Sequence, residues 1–171
     1  MMGAQLYECS EIELDFFNRA PIRVVSEVEL PCSPQSLFDC FNDAEAWSRW
    51  VGVIEKVEWT SSRPFGKGTT RKVFMPAGMV ACEEFLVWDE PRHMAFRFNQ
   101  FTQKFVTAFG EDYRVTDLGN DRCRLTWTVA MQPNGPSGPI SLFLKPFLSV
   151  YLKKPMRDLK RYMLGEGRKF C

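Results

Sequence analysis

Closely spaced turn residues between positions 53 and 131 constrain the fold more than any other feature of this sequence. Segments rich in apolar side chains alternate there with turns at 64–68, 76–78, 89–91 and 118–121. Parallel strands need a connection of a dozen or more residues, whereas antiparallel strands need only a hairpin turn. We therefore predict six consecutive antiparallel strands, at residues 53–60, 69–75, 79–88, 92–99, 105–116 and 122–131.

The segment before this stretch adds one strand and two short helices. Residues 22–30 alternate apolar and polar side chains, as a half-buried strand does. Ser33 before Pro34 is a typical helix start, because the hydroxyl caps a free backbone N–H and proline at the first helical position removes no hydrogen bond. A second short helix is expected from Asp43 towards Trp50.

A long C-terminal helix is predicted after the proline- and glycine-rich residues 133–139, ending near Leu164. Its apolar stripe recurs every three or four residues, at Leu148, Leu152, Met156, Leu159 and Met163. Pro155 lies inside this helix and should kink it or split it in two. The order of elements predicts an α+β fold, in which a curved seven-stranded antiparallel sheet, two short helices and the long helix enclose a cavity.

The length of 171 residues is typical of one domain. We expect an N-terminal extension at residues 1–20, the domain itself at 21–165 and a C-terminal tail at 166–171. Within the extension Ile12, Leu14 and Phe16 alternate with acidic side chains, which indicates a short strand docked on the domain.

Charge and composition exclude several classes of protein. The net charge of +1 argues against a nucleic-acid-binding protein, whose surface is strongly basic. The single histidine, His93, argues against a histidine-rich metal site, and strand alternation places it on the outside of the sheet. The six cysteines form no C-x-x-C pair and the N-terminus lacks a signal peptide, so we expect free thiols, the cytoplasm, no metal and no cofactor.

The charges are unevenly distributed along the chain. Residues 1–45 hold nine acids and two bases, whereas residues 140–171 hold eight bases and two acids. The favoured interpretation of the basic end is the solvated face of an amphipathic helix. The alternative is a weak contact between this helix and an anionic membrane surface. The oligomeric state stays open.

Several short motifs occur in an order that resembles the START-like helix-grip superfamily, which includes the Bet v 1 allergens and the polyketide cyclase/dehydrase group. The motifs are Leu30-Pro31 before the capped helix, Trp47-Ser48-Arg49-Trp50, Gly66-Lys67-Gly68-Thr69, Trp88-Asp89-Glu90-Pro91-Arg92 and Thr126-Trp127-Thr128. The resemblance covers roughly residues 22–164. It implies an internal cavity for lipids, polyketides or other apolar molecules, and it implies no shared set of catalytic residues.

Strand alternation then predicts which side chains form the wall of this cavity. The turn at Ala77 places Val73 opposite Ala81 and Arg71 opposite Glu83 on one face. The predicted wall is mostly apolar and aromatic, with a few polar groups, as ligand sites usually are. Its members are Arg71, Val73, Glu83, Phe85, Phe96, Phe98, Thr107, Phe109, Glu111, Tyr113, Trp127, Val129, Leu148, Leu152 and Met156.

The polar members of this wall support two interpretations. Arg71, Glu83 and Tyr113 are the candidates for chemistry, since an arginine can hold a ligand oxygen and a desolvated carboxyl group can move protons. The favoured interpretation is structural: Arg71 and Glu83 form a structural or sheet-edge ion pair, and Glu111 is solvated at a strand end. Tyr113 and Trp127 are then read as core residues.

We expect a binding protein that shelters, transports or sequesters a hydrophobic small molecule, lipid-like or polycyclic, because the cavity wall is aromatic and no catalytic constellation accompanies it. The first alternative is an enzyme with cyclase, aromatase or dehydrase activity. The second is a protein-interaction module of the chaperone-assisting or ribosome-associated kind.

Overall fold

The computed structural model describes residues 5–135, 145–146, 148–150 and 152–165, and the following elements are those of the described residues. The strands are β1 Tyr7–Glu8, β2 Ile22–Leu30, β3 Lys56–Trp59, β4 Thr70–Met75, β5 Met79–Asp89, β6 His93–Phe101, β7 Val106–Gly119 and β8 Arg122–Pro133. The helices are α1 Phe16–Arg19, α2 Pro34–Asn42, α3 Ala44–Trp50 and α4 Lys153–Leu164, with a 3-10 turn at Pro76–Gly78.

The strands form one antiparallel sheet in the order β2-β8-β7-β6-β5-β4-β3. The six strands from β3 to β8 follow one another as hairpins, and β2 joins the open edge of β8. This confirms the predicted α+β fold with its antiparallel sheet. The sheet has an eighth strand, because the two residues of β1 pair with the end of β6, with Tyr7 opposite Phe101.

Helices α2 and α3 begin at the predicted positions. The Ser33 hydroxyl accepts a hydrogen bond from the backbone N–H of Ser36 at 3.2 Å, and Pro34 occupies the first helical position. The Asp43 carboxylate accepts from the backbone N–H of Glu45 at 2.9 Å and starts α3. Each cap satisfies a donor that the helix itself cannot pair.

The C-terminal helix is divided, as Pro155 led us to expect. Residues 145–146 and 148–150 are helical, Leu152 is in a turn and α4 begins at Lys153. Pro155 is therefore the third residue of α4, where a backbone N–H would have no partner within the helix. The predicted helical residues before position 145 lie outside the described residues.

The N-terminal segment packs on the outer face of the sheet, opposite the main core. Ile12 and Phe17 are buried there against small residues of three strands: Ala95, Ala108 and Ala130. The prediction of a strand through Ile12 and Phe16 is wrong, since Phe16 begins α1 and the docked strand lies earlier, at Tyr7–Glu8. The alternating residues are used to cover the sheet, and not to extend it.

The five cysteines among the described residues, Cys9, Cys32, Cys40, Cys82 and Cys123, are free thiols. Within the described ranges, no helix has the length and apolar character that a bilayer crossing requires.

Candidate functional site

A cavity of about 330 Å³ lies between the inner face of the sheet, α3 and the start of α4. Every sheet strand from β4 to β8 contributes to it. Its wall consists of Trp47, Val51, Val53, Ile54, Arg71, Val73, Met75, Met79, Glu83, Phe96, Phe98, Phe101, Phe105, Val106, Phe109, Glu111, Tyr113, Trp127, Val129, Met131, Leu148, Leu152 and Pro155. The volume is within the range of pockets that bind small molecules, and the predominance of apolar side chains suits an apolar ligand.

Arg71 and Glu83 face each other across β4 and β5, in the register that the turn at Ala77 predicts. Arg71 Nε donates to Glu83 Oε2 at 2.5 Å, and both side chains are buried. The guanidinium lies 4.3 Å from the ring centre of Trp47 and 4.8 Å from that of Phe96. The pair therefore belongs to the interior and not to a sheet edge. Burial raises the pKa of Glu83, although Arg71 opposes the shift.

Glu111 lies in the middle of β7, opposite Phe96 of β6 and Val129 of β8. The expectation that it is solvated at a strand end is therefore wrong. The Tyr113 hydroxyl and the Trp127 indole N–H, the latter at 3.0 Å, both donate to its Oε2 atom. Loss of hydration raises the pKa of Glu111 to about 7, and the nearby Glu83 adds to the rise. A carboxyl group with this pKa exchanges its proton near neutral pH.

Tyr113 is held as a neutral phenol beside this carboxyl group. Burial and the negative charge of Glu111 raise the pKa of Tyr113 well above its ordinary value. Its ring stacks on Trp127, with ring centres 5.3 Å apart. Both rings line the cavity as well as the core, so the two interpretations of these residues are not exclusive.

Most of the predicted wall residues line the cavity, and three do not. The predicted residues in the wall are Arg71, Val73, Glu83, Phe96, Phe98, Phe109, Glu111, Tyr113, Trp127, Val129, Leu148 and Leu152. Phe85 lies on the same face but fills the core behind Arg71, 5.1 Å from its guanidinium. Met156 lies on the inward face of α4 and is buried in the core. Thr107 is on the opposite face.

A β-bulge explains the position of Thr107. Val106 pairs with Pro133 but Ala108 pairs with Gln132, so the register shifts by one residue between them. Val106 faces the cavity, whereas the Thr107 hydroxyl donates to the backbone carbonyl of Gln132 outside it. Such a shift reverses the side-chain alternation and is not visible in the residue pattern.

Sequence reasoning missed eleven wall residues, and six of these lie on or beside strands of the sheet: Met75, Met79, Phe101, Phe105, Val106 and Met131. The other five do not lie on a strand: Trp47 and Val51 at α3, Val53 and Ile54 in the loop after it, and Pro155 at the start of α4. Strand alternation contains no information about them. The apolar spacing of Trp47 and Trp50 on α3 was the one available signal that this helix turns a face towards the sheet.

The cavity opens at one end of the sheet, near the β6–β7 loop. Two of its wall residues there are exposed large apolar side chains, Phe105 at 58% and Val53 at 38%. Met75 and Met79, on either side of the β4–β5 turn, are half-buried wall residues. We call these four residues the apolar rim. An apolar ligand entering the cavity would cross it.

His93 is outside the cavity, as its alternation predicts. Its Nε2 atom lies 3.1 Å from Asp112 Oδ1, on the outer face of the sheet. Among the described residues, no three His, Cys, Asp or Glu side chains are grouped as a metal site would require.

Solved structures with the same architecture identify the fold. A START superfamily protein from Mycobacterium smegmatis matches with a TM-score of 0.68 and 16% identity, over 87% of this chain and 99% of that one. The Zhui aromatase/cyclase from a Streptomyces species matches with a TM-score of 0.64 and 16% identity, over 86% of this chain and 93% of that one. At this identity the likeness concerns the fold alone, and it confirms the START-like helix-grip fold.

The family follows from sequence. The family model described as "Polyketide cyclase / dehydrase and lipid transport" matches residues 21–164, and the chain belongs to this family. Uncharacterized proteins of Mycobacterium tuberculosis and Mycobacterium bovis are 44% identical to it over 157 residues, which are 92% of this chain and 93% of theirs.

Proposed function

We propose that the protein binds a hydrophobic small molecule, lipid-like or polycyclic, in the cavity between the sheet and α4, and shelters it from water. The observation that carries this proposal is the composition of the wall, in which aromatic and aliphatic side chains surround only a few ionisable groups. Burial of apolar ligand surface against such a wall supplies the main driving force for binding.

Filling the cavity tests this proposal. Val129 lies in the wall on β8 and is buried, so Val129→Trp places a large side chain in the ligand volume. We expect the variant to lose the ligand that organic extraction and mass spectrometry recover from the wild-type protein. Val25→Trp on the exposed side of β2 is the matched control and should keep the ligand. Wild-type protein that yields no ligand from its native cell and binds no apolar probe would contradict the proposal.

A cyclase, aromatase or dehydrase activity is the second candidate function, with Arg71, Glu83 and Tyr113 as the reacting groups. It is favoured by a specific observation: all three line the cavity beside Glu111, whose pKa of about 7 suits proton transfer at neutral pH. Nonane-2,4-dione is a simple probe, because a general base in the cavity would accelerate deuterium exchange at the CH₂ group between its two carbonyl groups. No acceleration over buffer, measured by NMR, would remove the support for this candidate.

A contact of the C-terminal helix with a membrane surface is one route by which an apolar ligand could reach the cavity. We infer that the apolar rim and the lysines beside it touch an anionic bilayer surface. Two observations support this inference: Lys145 and Lys153 are exposed on the helical segments that carry the cavity-lining Leu148 and Leu152, and the rim residues Phe105 and Val53 expose apolar surface. Anionic lipids attract such a combination.

A further inference from the structure

The wall of the cavity holds one more acid than it holds bases. Its ionisable side chains, among the described residues, are Arg71, Glu83, Glu111 and the neutral phenol Tyr113. Arg71 is engaged with Glu83 at 2.5 Å, and the two charges offset each other. Arg71 lowers the pKa of Glu111 but is paired with Glu83, so Glu111 has no ion-pair partner of its own among the described residues. Glu111 is half-buried and faces an apolar wall, where a charge is costly unless a proton or a counter-ion neutralises it.

The two oxygens of Glu111 have different surroundings. Oε2 accepts the hydrogen bonds of Tyr113 and Trp127. Oε1 accepts none from the described residues and is not sealed from the cavity, so it is the oxygen that a ligand can reach. The two neighbouring strands place Phe96 and Val129 opposite Glu111, and neither side chain can carry a charge.

We propose that the ligand of this cavity carries a protonated amine at its polar end, and that the amine binds Glu111 Oε1. This inference rests on the proposed function, since it specifies the chemistry of the molecule that the cavity binds. An ammonium group supplies the donor that Oε1 lacks and the positive charge that Glu111 lacks. The aromatic wall adds to this preference, because ring faces attract cations.

The same charges disfavour the other common head groups of lipid-like molecules. A carboxylate head could accept a hydrogen bond from Arg71 Nη1, a buried donor without a partner among the described residues, but it would also face the carboxylates of Glu83 and Glu111 and would lose its hydration. A hydroxyl head can hydrogen-bond to Glu111 but leaves its charge uncompensated. Head-group charge is therefore the property by which the cavity selects its ligand.

Three probes with the same ten-carbon chain separate these cases: decylamine, decanol and decanoate. We expect isothermal titration calorimetry at pH 8 to give decylamine an affinity roughly tenfold or more above that of decanol, with decanoate weakest. Glu111→Gln keeps the size of the side chain and removes its charge, so the amine preference should fall to about threefold or less. Glu58→Gln, at the edge strand β3 and outside the cavity wall, is the matched control and should keep the wild-type preference.

Proton release gives an independent readout. An ammonium favours the ionised form of Glu111, so amine binding at pH 7 should release roughly half a proton in the wild type and none in Glu111→Gln. Equal affinities for the three probes, or an amine preference that survives Glu111→Gln in a variant with wild-type folding, would overturn the inference and leave the proposed function standing. Failure of all three probes to bind would count against the proposed function and the inference together.

Discussion

Arg71 and Glu83 form an ion pair that is removed from water, so at the scale of single residues their contributions to stability are interdependent. Removing one partner of a buried pair leaves the other charged and unpaired, which costs about 3–5 kcal/mol, whereas replacing both by apolar side chains is often nearly neutral. We predict that Arg71→Met is destabilised by about 3–5 kcal/mol at pH 8, and that Arg71→Met with Glu83→Leu recovers most of the loss. Urea denaturation of the three proteins measures this.

The exposed pair of Arg124 and Glu29 provides the control for that prediction. Its atoms are 2.8 Å apart, yet both side chains are largely open to water. Arg124→Met should leave the urea midpoint nearly unchanged, because water and salt screen such pairs. A single Arg71→Met variant as stable as the wild type would show that Glu83 is not left charged in the interior.

Glu111 should make stability depend on pH in a direction opposite to that of most acids. Its pKa rises from 4.5 to about 7 on folding, so the folded state holds the proton more tightly than the unfolded state. The resulting stabilisation is complete below pH 4.5 and is lost as the pH rises through 7, by about 3 kcal/mol in total. We predict that the wild type loses about 3 kcal/mol more than Glu111→Gln between pH 4.5 and pH 8.

Unfolding free energies at several pH values for both proteins check this difference. Glu58→Gln, at the edge strand, is expected to follow the wild-type curve. Parallel curves for the wild type and Glu111→Gln would contradict the raised pKa and would also weaken the role of Glu111 in the cavity.

The ion pair and Glu111 differ in how far the sequence predicts them. The register of Arg71 and Glu83 follows from the turn at Ala77, because a hairpin turn determines which residues of its two strands are opposite each other. The environment of Glu111 does not follow from its strand. It depends on Tyr113 and Trp127, and on helices packing over the sheet, which residue alternation cannot describe.

At the scale of elements, Gly110 on β7 is a point of close contact between the N-terminal segment and the outer face of the sheet. An added Cβ atom would be 2.8 Å from the Ile12 side chain, 2.8 Å from the Phe96 carbonyl oxygen and 3.0 Å from the Phe17 ring. The carbonyl is backbone and cannot move aside easily. We predict that Gly110→Ala destabilises the protein by about 1–3 kcal/mol, measured by urea denaturation.

Gly66→Ala is the matched control for Gly110→Ala. Gly66 has no heavy atom within 4 Å of an added Cβ, so this change should alter stability by no more than about 0.5 kcal/mol. If the two variants were equally stable, the N-terminal segment would not be packed against β7 as closely as described.

Some features of the elements could be predicted from the sequence, and others could not. Caps, turns and the proline in α4 act through local chemistry, so the element order and the division of the last helix were predictable. The bulge at Val106 and the docking of Ile12 on the outer face depend on distant parts of the chain. These two features account for the misplaced Thr107 and for the wrong N-terminal strand.

At the scale of the whole molecule, charge is distributed between the two ends of the sheet. Lys145 and Lys153 are exposed on the helical segments that carry the cavity-lining Leu148 and Leu152, whereas the β7–β8 turn with Arg122 is at the end of β7 away from the apolar rim. Lys160 also lies near that end, since its positive charge helps to lower the pKa of Glu29 on β2. Equal charge changes at the two ends can therefore distinguish a specific contact at the opening from general attraction to an anionic surface.

We predict that Lys145→Glu with Lys153→Glu abolishes most of the binding to vesicles rich in phosphatidylserine, because these lysines are exposed on the helical segments that carry the cavity-lining Leu148 and Leu152. Each basic residue near an anionic surface contributes about 1 kcal/mol, so the double change should weaken binding at least roughly thirtyfold. Arg122→Glu with Lys160→Glu makes the same change of charge at the other end and should retain most of the binding. Co-sedimentation at low and high salt measures both variants. Equal losses would indicate nonspecific attraction, and a wild type that stays in the supernatant at low salt would exclude the membrane contact.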